Sequence, residues 1–391
     1  MTTPPATTPP AMPQPATTSR TLRVGIAGCG AISGNHLEAF RALDDVTIAG
    51  VCDVDLDRAR ATAAAWDVPA AVATVGELVD LGLDLVSVCT PHPTHEDVVL
   101  QAAAAGVHVL CEKPIAIDLA SAQRMVSACE RAGVKLGVLF QRRFWSAAQR
   151  IRAAIDDGTL GAPVLGQCSV MLHREPGYYS RDAWRGTWAS DGGGVLMTQA
   201  IHYIDLLQWF MGDVAEVYGR INTYTHGAYI EVEDSATAVI TFASGAMATL
   251  EASTAVSPSL GVQLRITGET GASASLTEFP EGSDARVDLW AVAETIDAEA
   301  AYPAGVEPNV DLSAINGQLI PHHTTQVRDF VQALRDGTDP AITGHDATKA
   351  LRILLAVYES SRTGLPVRFD APVDGRPLFP AKLQTPAPAA G

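Results

Sequence analysis

The segment "RVGIAGCGAIS", residues 23–33, followed by "VTIAGVCD", residues 46–53, decides the architecture of the N-terminal half. A short apolar strand runs into a glycine turn, the turn opens into a helix from Ile32 onward, and the next strand ends on Asp53. Gly28 permits the tight turn and Gly30 lets the backbone approach a pyrophosphate. Ser33, where a third glycine commonly stands, is small enough to keep helix against strand. The amides around Ala31 and Ile32, at the helix start, are free to face that anion. Asp53 lies 23 residues beyond Gly30, where a carboxylate accepts bonds from both adenosine ribose hydroxyls and disfavours a 2′-phosphate. NAD is therefore the expected cofactor. NADP stays open because Arg58 and Arg60 are close enough in sequence to reach a phosphate.

Outward from this turn, short apolar strands ("LDLVSVCT" at 83–90, then 107–111, then "KLGVLF" at 135–140) alternate with helices around 95–105 and 118–132. That alternation predicts a parallel sheet covered on both faces, a Rossmann domain over 21–142. After a helix near 146–157 the pattern changes to longer segments such as "PVLGQCSVML" and "SATAVITFAS", with one face apolar and one polar. These favour antiparallel pairing. With helices at about 194–211, 322–336 and 346–363, they predict a second α+β domain over 143–372, for substrate binding and oligomerisation. Residues 1–20, rich in Thr, Pro and Ala, read as a disordered tail, and 373–391 as a second Pro/Ala-rich tail.

The chain has 391 residues and a net charge of −17. Such a surface repels phosphate backbones, so nucleic acid is not an expected partner. The six cysteines include no Cys-x-x-Cys pair, so neither a disulfide framework nor a structural metal is expected, and a reducing cytoplasm fits. The most apolar stretch, "VLMTQAIHYIDLLQWFMG", contains His202 and Asp205, which argues against a membrane span.

Two places carry chemistry. Lys113 is one of only four lysines; it follows the strand "VHVLCE" and precedes Pro114, which biases it away from helical geometry at the carboxyl end of the sheet. An amine there can polarise a carbonyl or bond to an alcohol as hydride moves; the plainer reading is a ribose or diphosphate contact. Glu112 either pairs with it or orients cofactor hydroxyls. The second place is "DGGGVLMTQAIHYIDLLQWF", 191–210, where Thr198, His202 and Asp205 fall at helical spacing on one face. His202 suits acid–base work near neutrality, or is a core histidine bonded to Asp205. Between the two centres in the chain, "REPGYYSRDAWRGTW", 174–188, is a dense run of aromatics and arginines. It suits a ligand wall in which Tyr178 and Tyr179 meet sugar hydroxyls, Trp184 or Trp188 covers a ring, and Arg185 meets an anion; interface packing explains the aromatics equally. Thr90-Pro91-His92, with His95 just beyond, forms a stiff loop beside the cofactor in which neither histidine is assigned a chemical step.

Together "GIAGCGAIS", "VCD", "CTPHPTHEDVV", "CEKP" and "GGGVLMTQAIHYIDLLQW" resemble the glucose–fructose oxidoreductase / inositol dehydrogenase family of NAD(P)-dependent sugar oxidoreductases, over roughly 21–370. The resemblance implies a C-terminal domain built on a large open, predominantly antiparallel mixed sheet and a homodimer or homotetramer. It also implies that Lys113 contacts substrate and nicotinamide ribose and that His202 is the catalytic histidine. Thr198 stands where inositol- and glucose-type dehydrogenases often carry aspartate, which departs from a plain inositol dehydrogenase. Trp184 and Arg185 match the segment that reaches the cofactor, Tyr178 or Tyr179 would offer a phenolic proton, and Gln141 and Arg142 fall at the domain junction near the cofactor. The reaction implied is hydride transfer to or from a secondary alcohol of a sugar, glycoside or polyol. Two rivals are a glycosidase-like enzyme using transient oxidation at C3 and elimination, and a non-catalytic NAD-sensing protein.

Overall fold

The computed structural model describes residues 20–182 and 184–369. Six parallel strands, β1 (Leu22–Ala27), β2 (Val46–Cys52), β3 (Ala71–Val72), β4 (Leu85–Val88), β5 (His108–Cys111) and β6 (Leu136–Val138), form one sheet in the order β3-β2-β1-β4-β5-β6. Central β4 is buried along its whole length, and β1, β2 and β5 are buried toward their carboxyl ends, as expected of a sheet with helices on both faces. The order reverses between β1 and β4, so the ligand crevice opens outside their carboxyl ends, at Gly28 and Thr90. Gly28 has φ +94°, and a side-chain carbon there would lie 2.7 Å from the Cys89 backbone, so only glycine fits.

The helix N-termini differ in how they are capped. Asp55 caps helix Leu56–Ala65, Asp118 caps Leu119–Ala132, and Thr74 with Glu77 forms a capping box at Val75–Val79. Helix Ser33–Arg41, behind the glycine turn, has no side-chain cap.

The second sheet has nine strands: β7 (Pro163–Met171), β8 (Val214–Asn222), β9 (Ser235–Phe242), β10 (Met247–Ser253), β11 (Gly261–Gly268), β12 (Ser273–Glu278), β13 (Arg286–Val292), β14 (Thr295–Ala298) and β15 (Val367–Arg368). Their order is β14-β13-β12-β11-β7-β10-β9-β8-β15. All neighbours are antiparallel except β7 and β10, so the sheet is the mixed, mainly antiparallel one expected. Burial alternates along β9 and β10, one face packing inward toward helices Ile201–Met211 and Gly344–Thr363.

Two helices differ from the sequence expectation. The one read as 194–211 begins with a π-helical turn, Leu196–Ala200, before its α-helical part Ile201–Met211. The one read as starting near 322 starts at Leu312 and runs to Asp336 with Pro321 inside it. Proline signals a helix break because it removes a bond and presses on the carbonyl four residues earlier; here the helix continues through it. The early start matters because this helix returns to the first sheet. Val327, Phe330 and Val331 share a core with Val24, Ile26, Leu37 and Phe40. Gln326 Nε2 donates to the Val138 carbonyl at 2.7 Å and Asn35 Nδ2 to the Asn316 carbonyl at 2.8 Å. The Rossmann layer is thus completed by chain from beyond residue 142. Phe330 is 1% exposed and fills the space over Gly137, so Phe330→Ala should destabilise by about 3 kcal/mol, read as a lower urea midpoint with an unchanged slope.

Candidate active site

One cavity of about 1050 Å³ runs from the glycine turn to the second sheet. At its adenosine end the Asp53 carboxylate accepts from the amides of Cys29 and Asp55, each at 2.9 Å, and is met by Arg58 at 3.4 Å. Arg60 instead pairs with Asp57 at 3.1 Å. Gly28, Ala31 and Ile32 line the cavity, and Gly30 has nothing within 4 Å of its side-chain position. Open space above Gly30, uncapped amides behind it and a fixed carboxylate at Asp53 fit a dinucleotide. They would hold its pyrophosphate and ribose respectively.

The loop from Thr90 is tied down by its histidines, which also line the cavity. His95 reaches two carbonyls, Thr90 and Pro114, at 2.9 Å each, fastening the loop beside Pro91 to the Lys113 segment. His92 Nδ1 donates to the Asp191 carbonyl at 3.0 Å and packs edge-on against Trp184. Burial, reinforced by His95, pushes His92 down to about 3, so it is neutral at pH 7.

At the reaction end Lys113 Nζ donates to the Thr198 carbonyl at 2.9 Å, across the cleft and into the π-helical turn. Burial is the main influence on this amine; Arg142 and Arg185 add to it, Glu112 and Asp191 oppose it, and the result is about 8. His202 shares the cavity wall. Burial, then Arg142 and Lys113, hold it well below the usual histidine range, and its Nδ1 is buried with no hydrogen-bond partner. The ring itself lines the cavity, where a neutral imidazole can meet a ligand hydroxyl.

The alternative in which His202 is a core histidine bonded to Asp205 is not realised. Asp205 forms a two-pronged pair with Arg143 at 2.7 and 2.6 Å, away from the cavity. Helical spacing alone did not anticipate an arginine arriving from residue 143. Glu112 does not pair with the Lys113 ammonium either. Its Oε1 accepts from His36 Nε2 at 2.9 Å and faces His323 Nε2 at 3.6 Å, and its Oε2 accepts from the Lys113 backbone amide at 3.1 Å. Burial alone would raise this carboxyl, but the bonds to His323 and His36 together hold it well below the usual range. Ser87 Oγ and the Leu319 carbonyl fix the outer nitrogens of His36 and His323 at 2.7 and 3.0 Å. His36 and Glu112 are engaged in this hydrogen-bonded network, and His323 Nε2 faces the Glu112 carboxylate at 3.6 Å.

Among the wall residues, Tyr178, Trp184 and Arg185 line the cavity, as do Gln141, Arg142 and Thr198. The Tyr178 hydroxyl accepts from Arg185 at 2.8 Å and Gln199 at 3.0 Å. Tyr179 turns away, bonding Thr254 at 2.9 Å and packing on His226 and Tyr229. Trp188 packs on Tyr358, not on the cavity.

Sequence reading missed His323, His36 and Glu233. The first lies inside the helix as read, but its partner Glu112 is far away in sequence; the second sits plainly on the face of the first helix. Glu233 accepts from the amides of Gly194 at 2.8 Å and Leu196 at 2.9 Å, and from Tyr358 at 2.9 Å, so it caps the helix that carries Thr198 and His202. A side chain at Gly194 would overlap the Glu233 carbonyl, which is why the turn needs glycine there. Burial pushes Glu233 up to about 7. A carboxyl raised in the folded state binds more protons than in the unfolded chain, so this group's contribution to stability falls as pH rises from about 4.5 to 7. Glu233→Gln should flatten that part of the stability–pH curve, measured by urea denaturation between about pH 4.5 and about pH 7.

Residues 22–140 match the family domain described as "Oxidoreductase family, NAD-binding Rossmann fold", and 148–274 match the GFO/IDH/MocA C-terminal domain. A D-apiose dehydrogenase of Paraburkholderia graminis is 31% identical over 354 residues, covering 89% of this chain and 90% of that protein. A myo-inositol 2-dehydrogenase of Thermotoga maritima is 26% identical, covering 87% and 96%. Among solved structures, the WlbA dehydrogenase of Bordetella pertussis in complex with NADH and UDP-GlcNAcA is 29% identical with a TM-score of 0.77, over 91% of this chain and 100% of that one. Both domains, in the same order and on the same two sheets, place this chain in the GFO/IDH/MocA family of NAD-dependent oxidoreductases.

Proposed function

We propose that this enzyme transfers hydride reversibly between NAD and a secondary alcohol of a sugar, glycoside or polyol, with Lys113 and His202 handling the alcohol. The observation that carries the reading is the convergence of a low-pKa amine and a neutral imidazole on the cavity that begins at the glycine turn. The relatives named above act on, or hold, sugars and polyols, which supports the substrate class.

The nicotinamide supplies hydride acceptance and donation when bound. Gly28 to Ile32 and Asp53 hold the dinucleotide, and Trp184 with Arg185 closes over it from the second domain. In the oxidative direction His202 accepts the alcohol proton, which it can do because burial keeps it neutral. Lys113 donates a hydrogen bond to the same oxygen and stabilises the negative charge that develops there. Thr198 is a neutral hydroxyl, so it positions substrate and does not store a proton. For subunit contacts we favour the outer face of the second sheet, where Leu165, Val239 and Met247 are exposed. Among the described residues no helix is long and apolar enough to cross a membrane.

Purified protein should reduce NAD⁺ with at least one member of a panel of aldoses, glycosides and inositols, followed at the NADH absorbance. Lys113→Met and His202→Ala should each lower kcat by about 10²–10⁴-fold while NAD⁺ affinity changes little. A stable bound cofactor that turns over substrate with no net NADH favours the transient-oxidation rival. Asp53→Ser should raise the KM for NAD⁺ about tenfold, the loss of about 1.4 kcal/mol of ribose binding, and improve NADP⁺ relative to NAD⁺ by releasing Arg58 from its partner.

A further inference from the structure

We infer that the substrate of this cleft carries a negatively charged group, a carboxylate or a phosphate, seated on the Arg174–Tyr178–Arg181 wall while its alcohol reaches Lys113 and His202. The inference deepens the proposed function and rests on its placement of the reacting alcohol.

Every carboxylate on this wall is already taken. Glu281 receives Arg174 at 2.7 and 2.6 Å, Asp182 receives Arg185 at 3.0 Å, and Glu278 receives Arg142 at 3.3 Å along with Tyr203 and the Gly282 amide. The unfilled groups on this wall itself are guanidinium nitrogens, while farther along the cleft Gln141 Oε1 and Asp191 Oδ1 are also buried without a partner. Arg174 is 8% exposed and its Nε is buried with no partner; Arg142 is 4% exposed and its Nη1 is likewise unpaired. Arg181 lines the same cavity, is exposed, and its guanidinium makes no hydrogen bond or ion pair among the described residues.

Tyr178 locks this arrangement. Its ring lies between two guanidinium groups, with Arg174 5.2 Å and Arg185 4.7 Å from the ring centre. That stacking fixes the planes of two side chains that would otherwise sample many rotamers, at the cost of their entropy before any ligand arrives. Arg185 is also near enough to Lys113 to press on its charge, so the wall and the reaction centre share one electrostatic neighbourhood.

A neutral sugar presents donors and acceptors in similar number, whereas the free guanidinium of Arg181 in the cavity offers donors only. An anion presents acceptors only, and planar guanidinium groups match carboxylate and phosphate oxygens. The dinucleotide's own phosphates do not account for this wall, because their seat is the glycine turn on the opposite domain. The wall stands out further in a chain of net charge −17, whose general surface does nothing to attract an acid.

The test uses NAD⁺-loaded protein and ligand pairs that differ in charge: D-glucose with D-glucuronate, D-glucose with D-glucose 1-phosphate, and UDP-glucose with UDP-glucuronate. Isothermal titration calorimetry should show at least one anionic member binding tenfold or more tightly than its less charged partner, with the advantage shrinking as NaCl is raised. The uronate pairs report a carboxylate site and the phosphate pair a phosphate site. Arg181→Met, at an exposed position with no bonds to lose, should reduce the preference at least threefold. The double variant Arg174→Gln with Glu281→Gln, which removes a buried pair together, should do the same without stranding a charge. Equal binding within every pair, or a preference unchanged in both variants, overturns the inference. Calorimetry needs no turnover, so an anion preference without NADH formation would count against the hydride-transfer reading alone, and turnover without an anion preference against the inference alone.

Discussion

The bond from the Lys113 ammonium to the Thr198 carbonyl, 2.9 Å across the cleft, is the contact on which the rest of this structure turns. A buried ammonium is costly unless something pairs with it, and here the partner comes from the other domain. The amine is therefore satisfied only when both domains are folded and docked. A carbonyl, unlike a carboxylate, does not neutralise the charge. Lys113 is left as a poised donor, depressed toward neutrality by burial and ready to exchange its carbonyl partner for a substrate oxygen.

Two buried carboxylates hold the ends of that contact, and both act through backbone amides. Glu112 grips the Lys113 amide from below while His36 and His323 keep it ionised. Glu233 grips the amides of Gly194 and Leu196 at the head of the helix bearing Thr198. The late helix Leu312–Asp336 delivers His323 to the first domain, so chain from both ends of the sequence is needed to set one lysine. This interdependence explains why the helix returns to pack on β1 and β6 when its own neighbours in sequence belong to the second sheet.

Much of this was legible in the residues. The glycine turn, Asp53 and the period of the strands specify the Rossmann layer because each depends on local geometry. The lysine at a strand end, followed by proline, pointed to the cleft for the same reason. What stayed hidden depended on partners distant in sequence. The Arg143 that takes Asp205, the Glu233 that caps a glycine-led helix and the His323 beyond an in-helix proline leave no periodic trace. Tyr178 and Tyr179 are adjacent and chemically identical, and only the packing of His226 and Tyr229 decides that the first faces the cavity and the second does not.

The central claim is a desolvated amine at Lys113, and four lysines in the whole chain make it directly observable. Lysine labelled with ¹³C at Cε can be titrated by NMR in the folded protein, with Lys113→Arg identifying the signal. The account predicts that the Lys113 signal titrates near 8 and moves when NAD⁺ and substrate occupy the cleft. A Lys113 signal titrating at the ordinary lysine value of about 10.4, indifferent to ligand, would contradict it.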